Sequence, residues 1–271
     1  MSRRASTDSQ YLAHDQYRDA SKLNARIELH RRFSVNPRDW HAWAFDRLPA
    51  PGQARVLEAG CGSGLLWSRN SGRLTGGWQV VLGDLSTGMV RDARRSLSSG
   101  GGRVGYAVLD VQALPFARGA FDVVIANHML YHVPGRPKAL LEIRRVLRDG
   151  GRLFAATNGR RHMAGLLELV ARFEPALAAK DGTAGLEDAF SLETGREQLL
   201  QVFPRVELHR YEDALAVTEV GPLVDYICSM EYGQPLLDRR NELVAFLGRE
   251  LAEKGAIRIE KATGLFEASG R

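Results

Sequence analysis

The sequence predicts an α/β fold with a doubly wound sheet of seven strands, mostly parallel, with one antiparallel strand near the carboxyl end. Over residues 54–157, short apolar segments alternate with helical segments, which is typical of a parallel sheet covered on both faces. A glycine-rich turn follows the first apolar segment, at residues 60–64. Two later strands, separated by a helical stretch, indicate that the sheet closes with a strand of opposite direction.

The predicted strands are the short apolar or alternating segments of the chain. In chain order they lie at 54–59, 79–83, 103–109, 121–127, 152–157, 206–211 (extending as far as 217) and 256–266. Helices are predicted between them, at 65–74, 86–97, 137–147 and 221–254. Right-handed crossovers then place these helices on both faces of the sheet.

The chain divides into four predicted regions. The first region is a helical cap with two short amphipathic helices, separated at Asn36-Pro37 because proline disfavours helix in the residue before it. In chain order, the regions are the amino-terminal helical cap at 1–50, the α/β core at 51–159, a helical lid insertion at 160–204 and the completion of the sheet at 205–271.

The composition is that of an ordinary soluble domain, since 44% of the 271 residues are hydrophobic and 25% are charged. The sequence holds no run of eighteen apolar residues, and its first ten residues lack an apolar signal core. We therefore expect neither a membrane span nor a secretory signal. The two cysteines, Cys61 and Cys228, give no disulfide framework and no metal-ligand spacing, so we expect no metal and a cytoplasmic location.

The net charge of +5 raises the question of a nucleic-acid partner. The basic residues occur as scattered arginine pairs, such as Arg31-Arg32 and Arg239-Arg240, and not as one tract. This distribution favours a solvated basic surface and a small-molecule partner, with nucleic-acid binding as the alternative.

The segment VLEAGCGSG, residues 56–64, carries the sharpest local signal. Its glycines follow a buried strand, where a tightly turning backbone lets a ligand lie against it. Dinucleotide sites place the third glycine three residues after the second, whereas these three glycines alternate. Glu58 at the strand end suits a cationic ligand better than a diphosphate. A tight strand-to-helix turn that binds nothing is the structural alternative.

Five segments in order resemble the motifs of class I S-adenosylmethionine-dependent methyltransferases of the small-molecule type. They are VLEAGCGSG (56–64), VVLGDLSTGMV (80–90), VLDVQALPF (108–116), FDVVIANHMLYHV (121–133) and LRDGGRLFAATNG (147–159). The resemblance spans about residues 54–160. It implies a Rossmann-like fold and S-adenosylmethionine as cofactor, with S-adenosylhomocysteine as product.

The resemblance also implies roles for single residues. Asp84 would hold the ribose hydroxyls, since each carboxylate oxygen can accept one hydroxyl proton. Met89 would pack near the adenine, and Asp110 would accept a hydrogen bond from its amino group. The full set of cofactor-binding residues expected is Glu58, Gly60, Cys61, Gly62, Gly64, Asp84, Leu85, Met89, Asp110, Val111 and Asn127, with Tyr17 and Arg26 of the helical cap near the methionine carboxylate.

Structural alternatives remain for several of these residues. Asp84 also suits a helix amino terminus, Asp110 a loop and Glu58 an exposed strand end. Tyr17 and Arg26 also suit a solvated helix face.

The exit of the fourth strand is where the transferred methyl group is expected to lie, because ligands bind outside the carboxyl ends of the strands. His128 and His132 are the candidate general bases, since imidazole titrates near neutral pH. Tyr131 is the third candidate, lining the pocket. In the alternatives, His128 packs on the cofactor, His132 caps the next helix and Tyr131 fills the core.

The lid region supplies a possible wall for the acceptor. The residues expected to line an apolar acceptor pocket are His162, Met163, Leu167, Phe173 and Phe190, with ordinary helix packing as the alternative.

These observations together predict a methyltransferase that moves a methyl group by direct SN2 transfer to an oxygen or nitrogen, less often a carbon, of a small organic acceptor. Natural-product tailoring in a bacterium fits this prediction, and the oligomeric state stays open. The alternatives are an RNA or protein methyltransferase and a non-catalytic S-adenosylmethionine-binding scaffold. A nicotinamide dehydrogenase is disfavoured by the glycine spacing and by the missing Tyr-x-x-x-Lys.

Overall fold

The computed structural model of the chain describes residues 21–49, 52–74, 77–97, 103–178 and 190–270. They form a seven-stranded sheet with the strand order β3-β2-β1-β4-β5-β7-β6. The strands are β1 (Ala54–Ala59), β2 (Trp78–Asp84), β3 (Arg103–Val108), β4 (Phe121–Asn127), β5 (Leu147–Asn158), β6 (Arg205–Val217) and β7 (Ile257–Ser269).

The helices flank this sheet and extend it at one end. The α-helices are α1 (Ser21–Phe33), α2 (Trp40–Phe45), α3 (Leu65–Ser68), α4 (Thr87–Ser96), α5 (Arg136–Val146), α6 (Ala164–Phe173), α7 (Pro175–Ala178), α8 (Gly195–Leu200), α9 (Val220–Ser229) and α10 (Arg240–Lys254). Short 3-10 helices lie at Ser71–Arg73, Leu130–His132 and Glu231–Arg239.

The sheet is mixed, as predicted. Strands β1 to β5 pair in parallel, whereas β7 runs antiparallel to both of its neighbours, β5 and β6. The chain adds β2 and β3 on one side of β1 and then β4 and β5 on the other side. This change of direction places a crevice at the carboxyl ends of β1 and β4. The prediction of seven strands with one antiparallel member is confirmed.

Apolar side chains of the central strands pack on both faces of the sheet, because successive residues of a strand point to opposite sides. Leu57 and Val124 pack with α5 on one face. Val56 and Val123 pack with α3 and α4 on the other. Strands buried on both faces read as continuous apolar runs, which is why β1 and β4 are recognisable in the sequence.

A second helical layer lies beside the sheet, where α1 packs against α9 and both α6 and α10 lie against β7. Its members share one apolar cluster, which includes Leu29, Leu166, Ile227, Leu247 and Ile259. Among the helices of the described residues, none combines the length and the apolar character that crossing a bilayer requires.

Several predicted boundaries are wrong. Helix α3 stops at Ser68, where the side-chain amide of Asn70 donates a hydrogen bond to the backbone carbonyl of Leu66 and ends the turn. Strand β3 stops at Val108, so Asp110 lies in the following loop and not at the strand end.

Strand β5 begins five residues earlier than predicted. It starts at Leu147, and its pairing with β4 shifts register between Phe121 and Val123, next to Gly150 with its φ of 73°. Strands β6 and β7 each run for 13 residues, since their pairing continues beyond Tyr211 as far as Val217.

Candidate active site

A cavity of about 700 Å³ opens at the carboxyl ends of β1, β2 and β4. Loops after these strands form one half of its wall. The other half comes from α1, α2, β7 and the segment that joins β5 to α6. The residues predicted as site residues that line it are Arg26, Glu58, Gly60, Cys61, Gly62, Asp84, Leu85, Met89, Asp110, Val111, Asn127, His128, Tyr131 and His132.

The glycine turn after β1 adopts a backbone that favours glycine. Gly60 and Gly62 have φ values of 74° and 54° and line the cavity. A Cβ added at Gly60 would stand 2.8 Å from the Cβ of Met129, so the turn leaves no room for a side chain there.

Gly64 does not line the cavity, although it was predicted to bind cofactor. Its φ is 76°, and a Cβ added there would meet Ala93 and Ser96 of α4 at 3.2 Å. The third glycine therefore permits close packing of α3 on α4, and its contact with the cofactor stays a prediction.

Glu58 ends β1 as a buried carboxyl group with only 2% exposure, so the alternative of an exposed strand end does not hold. The indole Nε1 of Trp67 donates to Oε2 at 2.6 Å, and the Asn127 amide donates to Oε1 at 3.1 Å. Burial raises the pKa of Glu58 to about 8, against the lowering effect of these two hydrogen bonds.

Asp84 is the last residue of β2 and directs both carboxylate oxygens at backbone donors. Oδ2 accepts from the Gly62 amide and Oδ1 from the Ser86 amide, both at 2.9 Å. Burial raises its pKa, which the backbone hydrogen bonds partly offset. Leu85 is 38% exposed at the mouth, and Met89 is buried in the first turn of α4.

Asp110 is held in the loop after β3 by a residue that the sequence analysis did not single out. Gln112 donates to Asp110 through its backbone amide at 2.9 Å and its side-chain amide at 3.1 Å. The Gln112 carbonyl oxygen in turn accepts from the Gly135 amide at 3.0 Å. This network connects the loop to the start of α5, and the neighbouring Val111 is buried against the cavity.

Cys61 is buried in the glycine turn as a free thiol. Burial, with Glu58 and Asp84 nearby, raises its pKa, so the thiol stays protonated and unreactive. Within the described residues, no group of three or more His, Cys, Asp or Glu side chains is arranged to hold a metal ion.

His128 follows β4 in a left-handed backbone conformation, with a φ of 51°. Its amide donates to the Ala156 carbonyl at 3.0 Å, and its ring lies 5.2 Å from the Trp40 ring. Burial, with His41 and Lys261 nearby, lowers its pKa to about 4, so the ring is neutral at physiological pH.

Tyr131 and His132 lie in the 3-10 helix at Leu130–His132 and line the cavity, with their ring centroids 4.5 Å apart. His132 does not cap the next helix, because the residue at the amino terminus of α5 is Gly135. Both therefore face the site, and their catalytic role stays a prediction.

Arg26 lies on α1 and lines the cavity. Its guanidinium donates to the Ser229 hydroxyl at 3.2 Å and to the Ser229 carbonyl at 3.1 Å, which joins α1 to the end of α9. Arg26 therefore does not lie on a solvated helix face, which was the alternative interpretation of this residue. Tyr17 lies outside the described residues.

Four of the five residues predicted for the acceptor wall line the cavity: His162, Met163, Leu167 and Phe190. Phe173 does not, because it faces α10, where its ring lies 5.4 Å from Phe246 and under the guanidinium of Arg239.

Further polar residues of this wall were not predicted, and the main ones are His30, Lys261 and Thr263. They come from α1 and β7, whose approach to the crevice has no local signal in the sequence.

The groups on the glycine-turn side are mostly hydrogen-bond acceptors. Besides Glu58, Asp84 and Asp110, the amide oxygen of Asn127 is buried and has no hydrogen-bond partner among the described residues. Such a set fits S-adenosylmethionine, which offers an ammonium group, a diol and an adenine amino group as donors and a sulfonium as a positive charge. It would disfavour a diphosphate.

Comparison with known proteins also points to methyltransferases. Residues 57–155 match the family model described as a methyltransferase domain. The chain is 39% identical over 121 residues to the ubiquinone biosynthesis O-methyltransferase of Xanthomonas axonopodis pv. citri, covering 44% of this chain and 49% of that protein. It is 39% identical over 108 residues to the malonyl-[acyl-carrier protein] O-methyltransferase of Erwinia pyrifoliae, covering 40% of this chain and 38% of that protein.

Similarity of fold extends further than similarity of sequence. Phosphoethanolamine N-methyltransferase 2 of Haemonchus contortus, solved with phosphomonomethylethanolamine and S-adenosylhomocysteine, superposes with a TM-score of 0.60 at 18% identity, covering 98% of this chain and 61% of that one. The sequence matches, in contrast, span about half or less of the curated relatives. Residues 57–155 therefore match a methyltransferase domain, and the fold of the whole chain resembles that of a solved methyltransferase.

Proposed function

We propose that this protein transfers the methyl group of S-adenosylmethionine to an oxygen or nitrogen of a small organic acceptor. The observation that carries the proposal is the acceptor-rich crevice of Glu58, Asp84, Asp110 and Asn127 beside a side-chain-free glycine turn. The curated relatives named above are O-methyltransferases, which supports oxygen as the attacked atom.

In the proposed complex, each residue on the glycine-turn side of the cavity, here called the cofactor half, would have one task. Asp84 would hold the ribose, Asp110 the adenine amino group, and Arg26 the methionine carboxylate. Glu58 and the orphaned amide oxygen of Asn127 would face the ammonium group. Bound S-adenosylmethionine supplies a methyl group that is already activated by its sulfonium.

The acceptor half must then hold the attacking atom in line with the methyl group. His128, Tyr131 and His132 stand where β4 ends, at the point where the crevice passes from one half to the other. Fixing the two reactants in this way can contribute about 7–11 kcal/mol toward the barrier without any further chemistry. Walls made of aromatic rings exclude water and leave little to reorganise during transfer.

The surface supports a small acceptor over RNA. Several members of the scattered arginine pairs are neutralised by carboxylates, as in Arg31 with Glu28, Arg145 with Glu142 and Arg240 with Asp225. Natural-product tailoring is consistent with a cavity of about 700 Å³ and stays part of the proposal.

Isothermal titration of S-adenosylhomocysteine into the folded protein tests the cofactor assignment. We expect binding to the wild type and a loss of roughly 10- to 100-fold in Asp84→Asn, because the amide has no charge and keeps only one acceptor oxygen for the two ribose hydroxyls. Asp225→Asn, which removes an exposed carboxylate that does not line the cavity, should bind like the wild type. Absence of binding by folded wild-type protein would overturn the proposal and favour a scaffold.

A further inference from the structure

Three histidines from separate parts of the chain meet in the acceptor half of the cavity. His30 comes from α1, His128 from the loop after β4, and His162 from the segment before α6. The ring centroids of His30 and His162 are 6.3 Å apart, and His30 also meets the edge of Tyr226 at 5.8 Å. The cofactor assignments above use none of these three imidazoles.

His162 is held in a defined tautomer by two partners. The Thr263 hydroxyl donates to Oδ1 of Asn158 at 3.0 Å, so its single proton is committed. The Thr263 oxygen lies 3.2 Å from Nδ1 of His162 and must accept a proton from it. A neutral imidazole protonated at Nδ1 carries its lone pair on Nε2. Asn158 and Thr263 face each other across β5 and β7, so the pair is rigid.

The charges around His162 keep its ring neutral. Burial lowers its pKa well below the ordinary value, His30, Lys261 and His128 add to this effect, and a hydrogen bond to the Ala262 backbone partly offsets it. These groups face it from α1, β7 and the loop after β4. The positive charge of Lys261 is itself paired with Asp213 on β6, where the carboxylate accepts from the Lys261 ammonium.

We infer that His162 is the general base of methyl transfer and that Thr263 and Asn158 orient it. The acceptor is then a flat molecule with a hydroxyl group on an unsaturated carbon, which is a phenol or an enol. This inference rests on the function proposed above and deepens it.

The chemistry of the cavity favours this class over the two alternatives. A carboxylate acceptor is already ionised and needs no base, whereas a hydroxyl must lose its proton. An ammonium acceptor would be held by carboxylates, but Asp39, which lines the cavity beside Trp40, is paired with Arg69, and Asp213 behind the wall is paired with Lys261. Trp40, Tyr211 and Tyr226 supply flat aromatic walls that suit a planar ring.

The proposed step balances as follows. The acceptor oxygen bonds to the methyl carbon, and the electron pair of the broken carbon–sulfur bond stays on sulfur. The hydroxyl proton passes to Nε2 of His162, which becomes an imidazolium and later releases the proton to solvent. A weak base is sufficient, because the oxygen becomes strongly acidic as the new bond forms.

His128 suits this role less well. Its backbone is confined to the left-handed region and its ring lies against Trp40. Among the described residues, no hydrogen bond fixes its tautomer, whereas Thr263 does so for His162.

Nitrogen-15 NMR of the histidine rings tests the tautomer without turnover. In the complex with S-adenosylhomocysteine, His162 should be protonated at Nδ1 and bare at Nε2. Phenol should then shift the Nε2 signal of His162, whereas anisole, which has the same ring but no hydroxyl proton, should not. A mixed or charged His162 ring, or equal shifts from phenol and anisole, would overturn the inference.

Turnover with S-adenosylmethionine tests the base and the acceptor class together. The acceptors are phenols of graded acidity up to 4-nitrophenol, with amines and carboxylic acids of similar shape. His162→Gln should lower kcat/KM by roughly 100- to 10,000-fold for weakly acidic phenols and progressively less for acidic ones. Its rate should rise with pH as the phenol ionises, whereas the wild-type rate should be flat above neutral pH.

Substitutions of Thr263 test whether this residue positions His162. Thr263→Val should shift the His162 tautomer and slow transfer, and Thr263→Ser should restore both, because it keeps the hydroxyl. His209→Gln, on β6 outside the cavity, is the matched control and should behave like the wild type.

Equal losses for all phenols in His162→Gln, or methylation of amines or carboxylates but of no phenol, would contradict the inference. The same holds if no acceptor is methylated although S-adenosylhomocysteine binds. Failure of S-adenosylhomocysteine to bind would instead remove the proposed function.

Discussion

The indole Nε1 of Trp67 donates a 2.6 Å hydrogen bond to the buried carboxyl group of Glu58. This contact joins α3 to the end of β1 and fixes the acid directly beneath the glycine turn. An aromatic donor on one oxygen and the Asn127 amide on the other satisfy the group without any positive charge. The carboxyl group is therefore poised to respond when a cation binds beside it.

The stability of the free protein should depend on pH through Glu58. Its folded pKa, about 8, lies above the unfolded value, so the folded state holds a proton that the unfolded state has lost. The contribution to stability is complete below about pH 4.5 and is lost as the pH rises toward 8, with a slope of up to about 1.4 kcal/mol per pH unit. Glu58→Gln should flatten this slope in urea unfolding curves recorded from pH 5 to 8. An unchanged slope in the variant would show that another group is responsible.

Gly60→Ala should damage the cofactor site more than the fold. An alanine there combines a φ of 74° with a Cβ 2.8 Å from Met129, at a strain of about 1–2 kcal/mol for the backbone alone. We expect a lower melting temperature and the loss of S-adenosylhomocysteine binding in calorimetry.

Gly248 provides the matched control for Gly60→Ala. It lies within α10 with open space around its Cα, so Gly248→Ala should bind normally and gain roughly 1 kcal/mol of stability. Normal binding by Gly60→Ala would show that the turn tolerates a side chain.

Arg26→Gln should weaken the binding of the amino acid end of the cofactor but not of its nucleoside end. If Arg26 holds the methionine carboxylate, the variant should bind S-adenosylhomocysteine roughly 10- to 100-fold more weakly, as expected when a hydrogen bond to a charged group is lost. Its affinity for 5′-methylthioadenosine, which lacks the amino acid part, should not change. Equal weakening for both ligands would indicate that Arg26 acts only by joining α1 to Ser229.

Lys261→Met should destabilise the fold, because the buried carboxylate of Asp213 keeps its hydrogen bonds from Ser34 and Asn36 but loses its positive partner. The side chain of Asp213 is fully buried and that of Lys261 is 7% exposed. Breaking such a pair from one side costs about 3–5 kcal/mol in the free energy of unfolding. Adding Asp213→Asn should recover much of this loss in chemical denaturation. A double variant no more stable than the single one would place the cost elsewhere.

The cofactor half of the site could be predicted because its residues follow strands directly. Asp84 and Asn127 close β2 and β4, and the carboxyl ends of parallel strands meet at one edge of the sheet. Local spacing was enough to place these residues together. The same spacing placed Gly64 in one group with Gly60 and Gly62, whereas its packing on α4 depends on another element and has no local signal.

The acceptor half could not be predicted from spacing. His30 and Thr263 reach the cavity because α1 folds over the crevice and β7 inserts beside β5, and neither event has a local pattern. Phe173 failed as a wall residue because an amphipathic helix shows which residues are buried but not against what. Its partner is α10, and the ring turns away from the cavity.

The insertion of β7 between β5 and β6 also constrains how the protein is made. Strand β6 leaves the ribosome about forty residues before β7, yet among the strands of the described residues β7 is the one that pairs with it in the sheet. Until β7 emerges, β5 keeps an open edge and β6 has only the short bridge at Ser34 and Leu215 among the described residues, so both strands are exposed to wrong partners. The same strand brings Lys261 and Thr263. The nascent chain can therefore fold its cofactor half during synthesis, but it completes the acceptor half only after residue 269 has been made.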